Sequence, residues 1–307
     1  MKQKHQPVLL DETLAVLDPQ PGDAYLDGTA GYGGHAAAVI DRLGPDARVV
    51  LVDRDHEAIT ALVEQFGDRV EVIHENYVDA ARDLLEDGSL FDLILLDLGV
   101  SSPQFDAHER GFSFNSLESL DMRMDQSQSL TATNVVNGYS EKQLADIIYR
   151  FGEEPRSRSI ARAICQHRPV QTPAELAAII RRVVPKTGNT DAATRTFQAI
   201  RIEVNAELAS LSEALPDLVA LLTPGGRLAV ISFHSLEDRI VKQFFDTESR
   251  DCICPPKQPI CTCGHSASIA KLTPKAISGH IDVSNPRARS AKLRAAVKLN
   301  QKQKEGT

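Results

Sequence analysis

Four short apolar runs, Ala24-Tyr25-Leu26, Val49 to Val52, Val70 to Ile73 and Leu93 to Leu96, alternate with amphipathic stretches at Ala36 to Leu43, Glu57 to Phe66 and Asp79 to Leu85. Runs this short suit strands, and the stretches between them have helical spacing, so the order predicts βαβ units. A parallel sheet follows, with its ligand crevice at the carboxyl ends of the strands.

From about Gln104 to Thr190 the strand signal disappears. Helix starts replace it: Ser140 with Gln143 forms a capping box, and so does Thr172 with Glu175, with Pro173 in the first turn. A long helical stretch then runs from Thr194 to Leu222, which Pro216 is expected to kink or divide. After Pro224-Gly225-Gly226 the run Arg227 to Phe233 reads as a buried strand, so the sheet resumes. The expectation is an α/β fold in two discontinuous pieces, residues 1–104 and 191–307, interrupted by a helical insertion at 105–190. The insertion serves either substrate recognition or as a cover over the sheet.

Asp27-Gly28-Thr29-Ala30-Gly31-Tyr32-Gly33-Gly34-His35 follows the first predicted strand and Asp53 ends the second. Glycines let a ligand approach the backbone, and an acid about twenty residues further on suits the hydroxyls of a ribose. Dinucleotide sites carry G-x-G-x-x-G before a pyrophosphate; here the glycines read G-x-x-G-x-G-G, with Asp27 just ahead. An anion there opposes a pyrophosphate but suits a sulfonium and an amino group, which points to S-adenosylmethionine rather than NAD. Tyr77, after the third strand, is placed to lie against adenine or to pack in the core. Asp97-Leu98-Gly99-Val100-Ser101-Ser102-Pro103-Gln104, after the fourth, is where chemistry is expected.

The net charge of −8 is unevenly distributed. From Lys271 onward, Lys271, Lys275, Arg287, Arg289, Lys292, Arg294, Lys298, Lys302 and Lys304 meet only Asp282 and Glu305. This is either a phosphate-binding footprint or a solvated tail. No signal-peptide core is expected, since Asp11 and Glu12 break the apolar run Pro7 to Leu10; Asp92 and Asp97 likewise interrupt Leu90 to Val100, so no membrane segment is expected either. The expected location is cytoplasmic.

Of the five cysteines, Cys165 lies in a helical stretch and none falls in a strand-end turn, which disfavours chemistry through a cysteine nucleophile at the crevice. Cys252, Cys254, Cys261 and Cys263 form two C-x-C pairs around a proline-rich turn. Structural zinc usually takes C-x-x-C, and alternate residues of a strand reach one ion less easily. Reduced thiols in a surface hairpin are therefore expected, with no metal; a zinc site is the alternative.

A series of strings now acquires a common meaning: Pro7 to Leu10, Asp27 to His35, Asp97 to Gln104, Glu109 to Phe114, Asp121 to Asp125, Ala193 to Ala199, Ile231 to Arg239 and Asn285 to Ser290. In this order, nearly end to end, they resemble the RsmH (MraW) family of 16S ribosomal RNA cytosine-N4 methyltransferases. The resemblance implies a Rossmann-like class I methyltransferase sheet with an inserted helical substrate-binding domain. It also implies S-adenosylmethionine held by Gly33, Gly34, His35, Asp53, Tyr77, Asp97 and Gln104, and a cytidine of the decoding region as target, presented in a small ribosomal subunit. The oligomeric state, monomer or homodimer, stays open.

The cytosine amine is a poor nucleophile whose lone pair is delocalised into the ring, so the site must desolvate and align it. Asp97, Ser101 and Ser102 are the catalytic candidates, none of them identified as a base. Phe112, Phe114 and Tyr32 could stack a flipped nucleotide or pack internally; Arg195, His234, Arg287 and Arg289 are the other RNA candidates, with helix capping the alternative for His234. Two rivals remain: a ribosome-assembly factor without turnover, and a nicotinamide-dependent oxidoreductase.

Overall fold

A computed structural model describes residues 7–99, 110–184, 191–256, 258, 260–281 and 286–300. The chain forms two compact units, one from residues 1–99 and 209–307, the other from residues 100–208.

In the first unit, α1 (Leu10–Leu17) precedes β1 (Tyr25–Asp27), α2 (Gly34–Leu43), β2 (Val49–Asp53), α3 (His56–Phe66), β3 (Glu71–His74), α4 (Tyr77–Glu86) and β4 (Phe91–Asp97). The sheet order is β3-β2-β1-β4-β5-β8-β6, where β5 spans Leu222–Ser232, β6 Ile269–Lys271 and β8 Lys292–Lys298; β7 (Ile277–Ser278) pairs beside β8. Strands β1 to β5 are parallel, and β8 runs antiparallel to its neighbours. The chain steps outward from β1 to β3, then returns to β4 on the other side of β1. That reversal opens a crevice beyond the carboxyl ends of β1 and β4.

Alternation along the strands explains why both faces are covered. Leu26, Ile94, Leu96, Leu228 and Val230 are buried in one core with Val78, Leu84, Leu215, Val241 and Phe245. Their neighbours Tyr25, Leu93, Leu95, Ala229 and Ile231 belong to a second core, which holds Leu14, Leu17, Val39, Leu43 and Leu62. Among the described residues no helix is long and apolar enough to cross a membrane.

The second unit contains α5 (Ala132–Gly138), α6 (Glu141–Gly152), α7 (Ser157–Gln166), α8 (Pro173–Val183) and α9 (Thr194–Asn205). Both expected capping boxes form, at Ser140–Gln143 and Thr172–Glu175. The second boundary lies at 208/209 rather than 190/191. The reason is α9, whose Phe197, Ala199, Ile200 and Val204 pack with Leu144, Ile148 and Ile160 in the helical core. The break in the long helical stretch also differs from expectation. Ala206, at φ 50, ends α9, and Pro216 sits inside the next helix, α10 (Glu207–Ala220).

Gly152, the last residue of α6, makes the crossing with α9 close: a Cβ there would stand 2.5 Å from the Arg195 carbonyl oxygen. Helix propensity alone favours alanine over glycine by about 1 kcal/mol, whereas overpacking against backbone costs about 1–3 kcal/mol or more. Gly152→Ala is therefore expected to destabilise the helical unit by about 2 kcal/mol, read by urea unfolding; an unchanged or higher midpoint would mean the helices are not this close.

The string Asp121 to Asp125 has a structural use in the same unit. The buried Asn205 amide donates to the Met122 carbonyl (2.8 Å) and accepts from the Met124 N–H (2.8 Å), while an Arg110 guanidinium N–H donates to the Met124 carbonyl (3.0 Å). Arg123 forks onto the Asp121 carboxylate, with both bonds at 2.8 Å.

Candidate active site

The crevice is assembled from strand ends. Asp27 is buried at the end of β1; the Tyr25 hydroxyl donates to its Oδ2 (2.9 Å) and the Thr29 N–H to its Oδ1 (3.1 Å). Burial pushes its carboxyl up to about 7, against the opposing pull of His35 and of the Thr29 and Tyr25 hydrogen bonds. Asp53, at the end of β2, accepts the Gly31 N–H at Oδ2 and the Asp55 N–H at Oδ1, both at 2.8 Å. These bonds tie the glycine loop to the neighbouring strand. Each oxygen keeps a second lone pair for a ligand hydroxyl.

Asp97, at the end of β4, donates its backbone N–H to Thr29 Oγ1 (2.6 Å), so β1 and β4 are latched at the crevice floor. Its Oδ2 lies 3.4 Å from His35 Nδ1. The other ring nitrogen, Nε2, stands 2.9 Å from the Val8 carbonyl oxygen, which can only accept, so Nε2 carries a proton. A carboxylate facing Nδ1 favours a second proton there. Burial resists that charge, but the hydrogen bond and charge of Asp97, with Asp27 and the Val8 carbonyl, outweigh it and raise His35. The second Asp97 oxygen, Oδ1, is buried and has no hydrogen-bond partner among the described residues. A buried carboxylate oxygen without a partner among the described residues, at the switch point of the sheet, is a candidate acceptor for a ligand donor.

The loop glycines act differently from one another. Gly31, at φ +53, has only the Thr29 carbonyl near its absent Cβ, at 4.0 Å, so it provides the left-handed turn. At Gly33 and Gly34 a Cβ would meet Phe66 Cε2 at 2.7 Å and Pro7 Cγ at 2.8 Å. Those two glycines therefore admit packing behind the loop. Tyr77, the first residue of α4, is half-buried, and a Gly28 Cβ would stand 3.3 Å from its Cβ, which sets the ring's base against the loop. Gln104, Ser101 and Ser102 lie outside the described residues.

The RNA candidates divide. Phe112 is 5% exposed in the helical core, and the Phe114 ring packs edge-on against Phe197, centroids 4.7 Å apart. Both rings pack into that core, Phe112 buried and Phe114 half-buried. His234 caps α11 (Ser235–Glu248): its Nδ1 accepts the Glu237 N–H (3.4 Å), and Glu237 accepts the N–H groups of Phe233 and His234 in return. The capping alternative accounts for its position. Arg195 and Arg289 are exposed; an Arg195 N–H donates to the Glu153 carbonyl (3.3 Å), and the side chain of Arg287 lies outside what is described.

Among the described residues the basic stretch contributes the end of β6 and the whole of β7 and β8. Lys292 and Arg294 bind Asp238 at 2.8 and 2.7 Å, Lys271 binds Asp246 at 2.7 Å, and Lys298 donates to the carbonyls of Ala220 and Leu222. The expected footprint shrinks accordingly. Sequence reasoning also missed Thr29 and Val8, whose roles depend on Asp97 and His35 being brought to them; neither residue type signals this by itself.

The coupled Asp27 and His35 give a pH prediction. Both folded groups hold protons more tightly than their unfolded counterparts, so stability is fully present at low pH and lost as pH rises through the folded values. For Asp27 that window runs from the unfolded value of 3.8 to about 7. Asp27→Asn should flatten the decline in unfolding free energy between pH 5 and 8, followed by denaturant titration; an unaltered profile would dismiss the buried-proton account.

The reversed order of strands around β1, the antiparallel β8 and an acid-lined crevice at β1 and β4 define a Rossmann-like class I methyltransferase domain. Residues 2–299 match the MraW methylase family, and the chain belongs to that family. It is 50% identical over 308 residues to the "Ribosomal RNA small subunit methyltransferase H" of Syntrophotalea carbinolica, covering 96% of this chain and 98% of the relative. Proteins of the same name from Heliobacterium modesticaldum (46% identical, 96% and 98% covered) and Dehalococcoides mccartyi (45%, 96% and 86%) are similarly related.

Proposed function

We propose that the chain transfers a methyl group from S-adenosylmethionine to the exocyclic N4 of a cytidine in the decoding region of 16S ribosomal RNA, presented in the small subunit in the cytoplasm. The observation that carries this reading is the likeness, across 96% of the chain, to proteins named small-subunit ribosomal RNA methyltransferases. The crevice supports the donor: its lining is acidic, and the open Asp97 Oδ1 suits an ammonium or amine.

When bound, S-adenosylmethionine supplies an electrophilic methyl on a cationic sulfur. Asp53 would accept from the ribose hydroxyls, and Tyr77 would lie against adenine. His35 holds the Asp97 carboxylate in place from below, and Gly33 and Gly34 let the loop settle on Phe66 and Pro7. Gln104, which lies outside the described residues, is proposed as a further donor contact. The target amine must lose water and keep its lone pair directed at the methyl. Carbonyls and hydroxyls of the Gly99 to Ser102 turn, with Asp97, would accept its N–H groups. Arg195, Arg287 and Arg289 are proposed to meet RNA phosphates, and the helical unit to contribute to RNA recognition.

A cellular experiment tests the assignment. Small subunits from cells lacking the gene should lack N4-methylcytidine and regain it when the native chain is restored, but regain much less with Asp97→Asn at equal abundance. Unchanged N4-methylcytidine in the deleted cells would refute the proposed target.

A further inference from the structure

Between Glu248 at the end of α11 and Ile269 at the start of β6, the chain makes an excursion containing four of its five cysteines. Its base is anchored: the Ser268 N–H donates to the Glu248 carbonyl (2.9 Å), the Ser268 hydroxyl donates to the Glu248 carboxylate (2.7 Å), and a His265 ring nitrogen reaches the Thr247 carbonyl (3.2 Å). Its outer part has little apolar support, with Ile253 48% and Ile260 75% exposed. A segment of this size cannot bury enough surface to hold one shape unless something else cross-links it.

The four sulfurs occupy that position. Cys252 and Cys261 lie 3.4 Å apart, Cys261 and Cys263 3.5 Å, Cys252 and Cys263 3.8 Å, and Cys254 and Cys261 4.0 Å. All four fall within 4.8 Å of one another. Tetrahedral zinc with bonds of about 2.3 Å requires sulfur–sulfur edges of about 3.8 Å. Two disulfides would instead give each sulfur one partner at about 2.05 Å, whereas Cys261 has three comparable neighbours. The objection that alternate strand residues point apart does not apply, because both C-x-C pairs lie in irregular turns. Backbone N–H groups also point at the sulfurs, from Cys254 to Cys252 Sγ (3.4 Å) and from Thr262 to Cys254 Sγ (3.5 Å), as suits thiolates.

We propose that Cys252, Cys254, Cys261 and Cys263 bind one zinc ion, which cross-links the 252–263 hairpin. Four protein sulfurs fill the tetrahedron and leave no open position, so the ion is structural. Binding replaces the four thiol protons by one Zn²⁺, with no redox change. The site shares no residue with the methyl-transfer crevice.

Metal analysis of the full chain, purified without a metal-affinity column, should find about one zinc per chain. Cys252→Ser/Cys261→Ser should retain less than about a tenth of that. Because a variant can lose metal through misfolding, the native chain is also stripped with chelator under reducing conditions and titrated with Co²⁺. Intense visible bands saturating at one equivalent, bleached by equimolar Zn²⁺, are expected of a tetrathiolate site. Zinc should also slow proteolysis within 252–263. A freshly purified chain without zinc, whose four thiols all react at once with a thiol reagent and give no cobalt spectrum, would overturn the proposal. So would two disulfides found by intact mass, or stoichiometric iron in place of zinc.

Discussion

Asp97→Asn is expected to lower kcat/KM for methyl transfer by about 10–100-fold while leaving the fold intact. The side chain keeps its shape but loses the charge that faces His35 Nδ1 at 3.4 Å, and its open Oδ1 can no longer act as a carboxylate. Hydrogen bonds to charged groups contribute about 1.5–3 kcal/mol, which corresponds to that range. The asparagine is the informative substitution: alanine would also leave the buried His35 Nδ1 without its partner, and removing one partner of a buried pair typically costs about 3–5 kcal/mol. The same variant should lower the His35 pKa, an effect visible by NMR titration of the ring. Unchanged turnover with a shifted His35 would assign Asp97 to the architecture of the loop and remove it from ligand binding.

A comparably large effect is expected behind the loop. Gly33 is the N-cap of α2 at φ +75, and its absent Cβ would lie 2.7 Å from Phe66 Cε2 and 3.2 Å from Leu62 Cδ2. A non-glycine residue in the left-handed region costs about 1–2 kcal/mol, and overpacking adds about 1–3 kcal/mol. Gly33→Ala should therefore destabilise the chain by about 2–5 kcal/mol. In a Phe66→Ala background most of the steric part should be relieved, with the Leu62 contact and the backbone part persisting, leaving a coupling of at least about 1 kcal/mol in a double-mutant cycle. Additive losses would mean that the loop has no packing dependence on Phe66. Cofactor affinity should follow the same pattern, because the loop's position depends on what lies beneath it.

Much of the first unit is legible in the sequence for a local reason. Strands β1 to β4 are short apolar runs separated by helices with clear periodicity, and the acids Asp27, Asp53 and Asp97 sit where those runs end. The capping boxes of α6 and α8 are local too, since each needs only residues three apart. What escaped depends on partners far along the chain. Strand β8 reads as a basic tail because Lys292 and Arg294 meet Asp238, 54 and 56 residues away, only after folding. Helix α9 reads as part of the long stretch that leads back to the sheet, yet its apolar face belongs to the helical core. Phe112 and Phe114 show the same ambiguity: an aromatic in a polar loop can equally stack a base or close a core, and composition does not choose. The cysteine pairs were judged by a strand geometry that they do not adopt.

The central claim is the transfer itself, and tritium-labelled S-adenosylmethionine tests it most directly. The native chain is incubated with small subunits that lack the modification, and the labelled nucleoside is then identified, with Asp97→Asn run alongside. Label in N4-methylcytidine from the native chain, and a large loss of it with the variant, is the predicted result. Label in another nucleoside, or equal binding of both proteins to the subunit with no transfer by either, would contradict the account and favour an assembly factor that keeps the fold without the chemistry.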